Sequence, residues 1–211
     1  MSTENLIAAL SADRTRETAP PHFLLLATLA SVAVAGALFF AVLGPRPDFM
    51  IAMHSWRFVG KFVLALSLAA SASLLVLRAS RPEAPRGRMD FVLLLAPALL
   101  LAAVIVELAL LPSTQWMPRM MGHNARVCML SIPLLSLGPL AWLLVALRKG
   151  AVTAPARAGA LAGLMAGGLG AAFYAAHCFD DSPLFVAVWY TLAVTFVTLL
   201  GAALGKRVLA W

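Results

Sequence analysis

Six runs of about 20 predominantly apolar residues, near 23–43, 58–77, 91–111, 127–147, 158–178 and 184–204, set what this chain can fold into. An α-helix of that length covers roughly 30 Å, the thickness of a bilayer's hydrocarbon core. Lipid offers no partner to an open backbone N–H or C=O, so a spanning segment closes its hydrogen bonds within itself. The runs therefore predict an all-α, polytopic membrane protein with six transmembrane helices. Bulk composition agrees: 62% of the 211 residues are hydrophobic and 12% charged, where a soluble domain carries about one quarter charged residues. The breaks are short and rich in Pro and Arg: GPRPD, RASRPEAPRGRMD, PSTQWMPRMMGHNAR, RKGAVTAPARA and FDDSP. They leave no room for a second domain, so residues 23–211 read as one six-helix unit behind a polar tail, residues 1–22.

An even number of spans puts both termini on one side. With the N-terminus inside, the cytoplasmic segments hold eleven Lys and Arg and the outer segments five (Arg46, Arg57, Lys61, Arg119 and Arg126). Basic residues collect on the cytoplasmic side of membrane proteins, so both termini are expected there, in a bacterial inner membrane. The formal net charge of +7 then reflects loops facing anionic lipid. No basic tract interleaved with aromatics appears, and nucleic acid is not an expected partner. The first 21 residues carry Glu4, Asp13 and Glu17 with no apolar core, unlike a secretory signal.

Within the spans, Gly159, Gly163, Gly167, Ala171 and Ala175 recur every four residues along span five. Small residues so spaced let helix backbones approach closely in lipid, a packing device rather than chemistry. Pro97, Pro133 and Pro139 predict kinks.

The chain has two cysteines, Cys128 opening span four and Cys178 closing span five. Consecutive antiparallel spans place both at one outer depth, where a thiol pair can persist as a disulfide or bind a soft metal. His177 adjoins Cys178 and is the best further ligand. Other soft or borderline donors lie in the outer breaks: Met50, Met53 and His54 in DFMIAMHSW, and Met117, Met120, Met121 and His123 in QWMPRMMGHNARVC. Thioether, imidazole and thiolate suit copper(I) or another heavy metal as a signal, though methionines at a membrane interface need no metal to explain them. No obligatory cofactor is expected. Asp180 and Asp181 can attract cations or cap span six ahead of Pro183. Lys61 and Glu107 each fall about one turn inside an outer span end, at similar depth, and are expected to pair, since a lone charge in lipid is costly. In the tail, Leu6, Ile7 and Leu10 share one face of a short amphipathic helix suited to a groove on a partner or, alternatively, to the membrane surface. No nucleophile–base motif, phosphate loop or C-x-x-C pair points to an enzyme. A small metal- or proton-coupled transporter is the alternative, but it would want ligands deep in several spans.

The tail ENLIAALSADRTR, the six spans, a cysteine opening span four, and the ending YAAHCFDDSPLFVAVWY followed by GKRVLAW resemble the NrsF-like membrane anti-sigma factors. The resemblance covers the whole chain and is most specific from Tyr174 to Tyr190. It implies a protein that holds an extracytoplasmic-function sigma factor of the sigma-F type inactive at the inner membrane, the tail binding the factor. It further implies release on heavy-metal stress through two outer cysteines, which map onto Cys128 and Cys178. Neither the inducer nor the oligomeric state follows from it.

Overall fold

The computed structural model describes residues 3, 4, 7, 21–80 and 88–210, with backbone alone at 21–24 and 88. Among the described residues there are helices and no strand. Among the described residues six helical spans are long and apolar enough to cross a membrane: α1 (Pro21–Val42), α2 (Trp56–Ala79), α3 (Leu95–Leu110, which spans together with the 3-10 turn before it as Met89–Leu110), α4 (Ala125–Arg148), α5 (Pro155–Ala175) and α6 (Pro183–Val208). A 3-10 turn, Arg88–Leu94, leads into α3, and Pro97 sits in the first turn of the α-helical stretch. The proline ring crowds the carbonyl four residues back, here that of Leu93, within the 3-10 turn. By contrast α4 stays one element through Pro133 and Pro139. Of the expected tail face, Ile7 is helical and exposed, while Leu6 and Leu10 lie outside the described residues.

The helices alternate in direction, as their end contacts show. At one end, the link between α1 and α2 donates a backbone bond from Arg46 to the Ala176 carbonyl (3.0 Å), just past α5. At the other end, Ala151 after α4 donates to Ser80 after α2 (3.3 Å), and Arg157 of α5 pairs with Asp90 ahead of α3 at 2.7 Å. Helix α5 is the axis, packing on α6, α2 and α4. Some 83% of its length is buried, against 11% for the span Met89–Leu110 at the rim.

Close approach explains that centrality. A Cβ on Gly163 would stand 2.6 Å from the Val197 carbonyl oxygen, and one on Gly205 would stand 2.8 Å from Gly159 Cα. The stripe of small residues expected in span five thus meets a second pair on α6, Gly201 and Gly205, backbone against backbone. Among the described residues two large apolar clusters fill the bundle, besides a small contact of Ala27 with Ala146. One surrounds Leu75, Leu143, Leu147, Ala162 and Met165. The other, at the end bearing the cysteines, surrounds Ile132, Ala171, Tyr174, Phe185 and Tyr190.

Two helix ends depart from expectation. Helix α5 stops at Ala175, so His177 and Cys178 belong to the link 176–182 and not to a continuous helix running to Arg157. Its last turn tightens, His177 N–H bonding the Tyr174 carbonyl at 2.9 Å, and cations from elsewhere take the Cys178 carbonyl (below). Helix α6 is capped by Ser182, whose Oγ accepts from Leu184 N–H at 3.3 Å, with Pro183 in the first turn. Neither aspartate performs that cap. The first turns of α6 include a π-helical segment, Val186–Tyr190, an arrangement that recurs at functional positions.

Candidate functional site

Cys128 and Cys178 are brought together in the second apolar cluster, 0% and 1% exposed. Both are free thiols. Cys128 sits in the first turn of α4, and Cys178 in the α5–α6 link. Around them stand Tyr174 and Tyr190, the chain's two tyrosines, with ring centroids 5.8 Å apart. Both phenols lie near the Cys178 side chain, yet neither buried hydroxyl makes a well-formed hydrogen bond. Among the described residues the Cys178 side chain is the polar group that these hydroxyls face. The site is therefore two thiols and two phenols sealed among apolar side chains. Burial pushes the Cys178 thiol up from its ordinary pKa, while the Lys61 charge draws it down.

A shell of ions encloses this pocket. Lys61, 2% exposed, donates to the Cys178 carbonyl at 2.8 Å and pairs with Asp181 at 2.6 Å. Arg46 pairs with Asp181 at 3.1 Å and with Asp48 at 2.6 Å, and reaches the Cys178 carbonyl at 3.3 Å. Its guanidinium also lies 4.5 Å from the centre of the Phe179 ring. The Asp48 hydrogen bond raises the Arg46 pKa above its usual value, and Arg46 in turn holds the Asp48 carboxyl below its own. Glu107, fully buried, takes Arg57 at 2.8 Å and the Ser182 hydroxyl at 3.1 Å. The expected Lys61–Glu107 pair does not form. Arg57 and Lys61 lie four residues apart, one above the other on α2, and each finds a different carboxylate. Nor does Lys61 reach water along the helix; Asp181 comes down to meet it.

Asp180 has another task. Its Oδ2 accepts from His123 N–H (3.0 Å), Asn124 N–H (2.8 Å) and Asn124 Nδ2 (3.0 Å), just ahead of α4. A carboxylate there satisfies free donors and suits the positive end of the helix carrying Cys128. Gly122 makes this approach possible. Its φ of +57° suits glycine, and a Cβ would fall 2.8 Å from Asp180 Cγ.

The expected ligand set does not assemble. His177 turns its Nδ1 to the Gly44 carbonyl at 3.0 Å, fastening the α1–α2 link. Met50, Met53, His54, Met117, Met121 and His123 are exposed, and Met120 lends only its carbonyl, to Trp189 at 3.1 Å. Among the described residues no three His, Cys, Asp or Glu side chains converge as a metal site. What the arrangement offers chemically is a pair of free thiols, closed to reagents in this conformation. Sequence reasoning missed Arg46, Arg57, Ser182, Asn124 and the two tyrosines. For the tyrosines a signal was present, since they bound the most specific run of the chain.

A family model for NrsF, described as negative regulator of sigma F, matches residues 9–211. The chain is 33% identical to the anti-sigma-F factor NrsF of Caulobacter vibrioides over 214 aligned residues, covering all of both chains. It is 31% identical to the probable anti-sigma-F factor NrsF of Azospira oryzae, again over all of both chains. No solved structure matches it.

Proposed function

Because the chain belongs to the NrsF family of negative regulators of sigma F, we propose that it is an inner-membrane anti-sigma factor that frees its sigma factor when Cys128 and Cys178 are chemically modified. Family membership makes its role regulatory rather than enzymatic, with a sigma factor as partner. It also favours regulation over the transporter alternative. The finer reading is that the sigma factor is of the extracytoplasmic-function type and is held at the cytoplasmic face, by the tail with Leu6, Ile7 and Leu10. Heavy-metal or related stress is sensed at the opposite, periplasmic end.

The observation that carries this reading is the meeting of the chain's two cysteines, from different elements, in one buried cluster. Two thiolates suit a soft metal ion or an oxidant equally. The excess of Lys and Arg at the far end supports the orientation. In a strain carrying a sigma-dependent reporter, Cys128→Ser and Cys178→Ser should each remove most of the response to a copper or cadmium salt, with repression intact. His177→Ala should leave most of the response, since its imidazole is engaged by Gly44. Full induction in the double cysteine variant would end the sensor reading.

A further inference from the structure

No reagent reaches two thiols that are 0% and 1% exposed until part of the cysteine end moves. Cys128 is built into a helix of 24 residues. The link 176–182 lies past the end of α5, joined to its last turn by the His177 and Cys178 N–H groups on the Tyr174 carbonyl (2.9 and 3.0 Å), and it is also tied down from outside. Lys61 and Arg46 grip the Cys178 carbonyl. Asp180 is fastened to the start of α4, and Ser182 to Glu107. One carboxylate joins the two cations of the first tie: Asp181, 2.6 Å from Lys61 and 3.1 Å from Arg46.

Taking the cysteine pair as the sensing site, we propose that Asp181 pins a gate over it, its bridge to Lys61 and Arg46 setting how readily Cys178 becomes reachable. Asp181 is a positioning residue, acting through the two cations that hold the Cys178 backbone. Arg46 keeps Asp48 if the bridge opens. The buried Lys61 loses its ion pair, and a buried cation without a counterion makes the closed state costly. The arrangement is also sensitive to the thiol itself. Metal capture and oxidation start from the thiolate, and an ionised Cys178 would be a second anion beside Lys61, competing with Asp181 for it. Reaction at the thiol and release of the pin thus favour one another.

The test is the alkylation rate of Cys178 by N-ethylmaleimide in the full-length, detergent-purified protein carrying Cys128→Ser. Asp181→Asn should react about tenfold faster or more, as removal of the pin lowers the free energy of local opening. Arg157→Gln, which breaks the ion pair at the other end of the bundle, should leave the rate unchanged. Ser71→Cys, a buried position on α2, reports on global loosening when placed in a Cys128→Ser, Cys178→Ser background. It should stay slow with Asp181→Asn; acceleration by the same factor would overturn the gate. If Asp181→Asn does not fold, Lys61→Met with Asp181→Leu removes the pin and the Lys61 tie to the Cys178 carbonyl without stranding a charge, and a smaller acceleration, about threefold, is expected. Wild-type rates at Cys178 in the folded variants would overturn the proposal. Alkylation involves no sigma factor, so a failed gate is distinguishable from a failed sensor, which shows instead as induction in the cysteine variants.

Discussion

Glu107 and Arg57 differ in how much water each finds once the other is removed. The Arg57 side chain is 26% exposed and the Glu107 side chain 0%. Arg57→Gln leaves a buried carboxylate with the Ser182 hydroxyl and no ion pair, a change that costs on the order of 3 kcal/mol. Glu107→Gln keeps the Ser182 contact and lets Arg57 turn to solvent, which costs about 1 kcal/mol. Denaturant unfolding of the two purified variants should show this asymmetry. Equal losses would mean that neither charge is what the pair contributes. The same residues show what sequence conveys at this scale. A charge inside an apolar run stands out, so Lys61 and Glu107 were legible as special. Their partners were not, because Asp181 lies far along the chain from Lys61 and Arg57 looks like an ordinary span end. His177 misled for a related reason: adjacency to Cys178 in sequence says nothing of where an imidazole turns once the helix has ended.

Helices are the level at which sequence was most informative here. All six apolar runs became helices within a few residues, since a stretch this apolar has few other ways to satisfy its backbone. The stripe on α5 was legible as well, because spacing by four is visible without a structure. Its partner carries the same spacing, Gly201 and Gly205, a signal present but unused. What sequence did not show was the end of α5 at Ala175, where the Arg46 N–H from another element takes the Ala176 carbonyl. The seam makes a direct prediction. Gly163→Ala places a Cβ 2.6 Å from the Val197 carbonyl oxygen, so α5 and α6 must part, at about 1–3 kcal/mol. Gly60 on α2 has nothing within 4 Å of where an added methyl would stand, and Gly60→Ala should be neutral or stabilising by about 0.5 kcal/mol. Thermal unfolding of both variants in detergent checks the contrast. A harmless Gly163→Ala would mean that the helices are not held backbone to backbone.

For the molecule as a whole, polarity sorts by end. The lateral surface shows Leu25, Leu29, Phe40, Leu66, Leu101 and Leu130, while the ions either sit at the ends or are sunk among the helices. Such an outside suits lipid, and three links, 43–55, 111–124 and 176–182, gather at the cysteine end. Under the proposed orientation those links face the periplasm and the basic far end faces the cytoplasm. The native thiols are poor reporters of this, because both are sealed. Introduced cysteines on exposed links avoid the difficulty. In a Cys128→Ser, Cys178→Ser background, Ser113→Cys lies on the exposed link before α4, and Thr153→Cys on the exposed link before α5. A membrane-impermeant maleimide added to spheroplasts should label Ser113→Cys at once, and Thr153→Cys only after permeabilisation. The reverse pattern would place the thiol pair in the cytoplasm, where glutathione and thioredoxin keep cysteines reduced, and the tail on the side where no sigma factor is found. Labelling of both without permeabilisation would mean that the chain does not cross the bilayer as six spans.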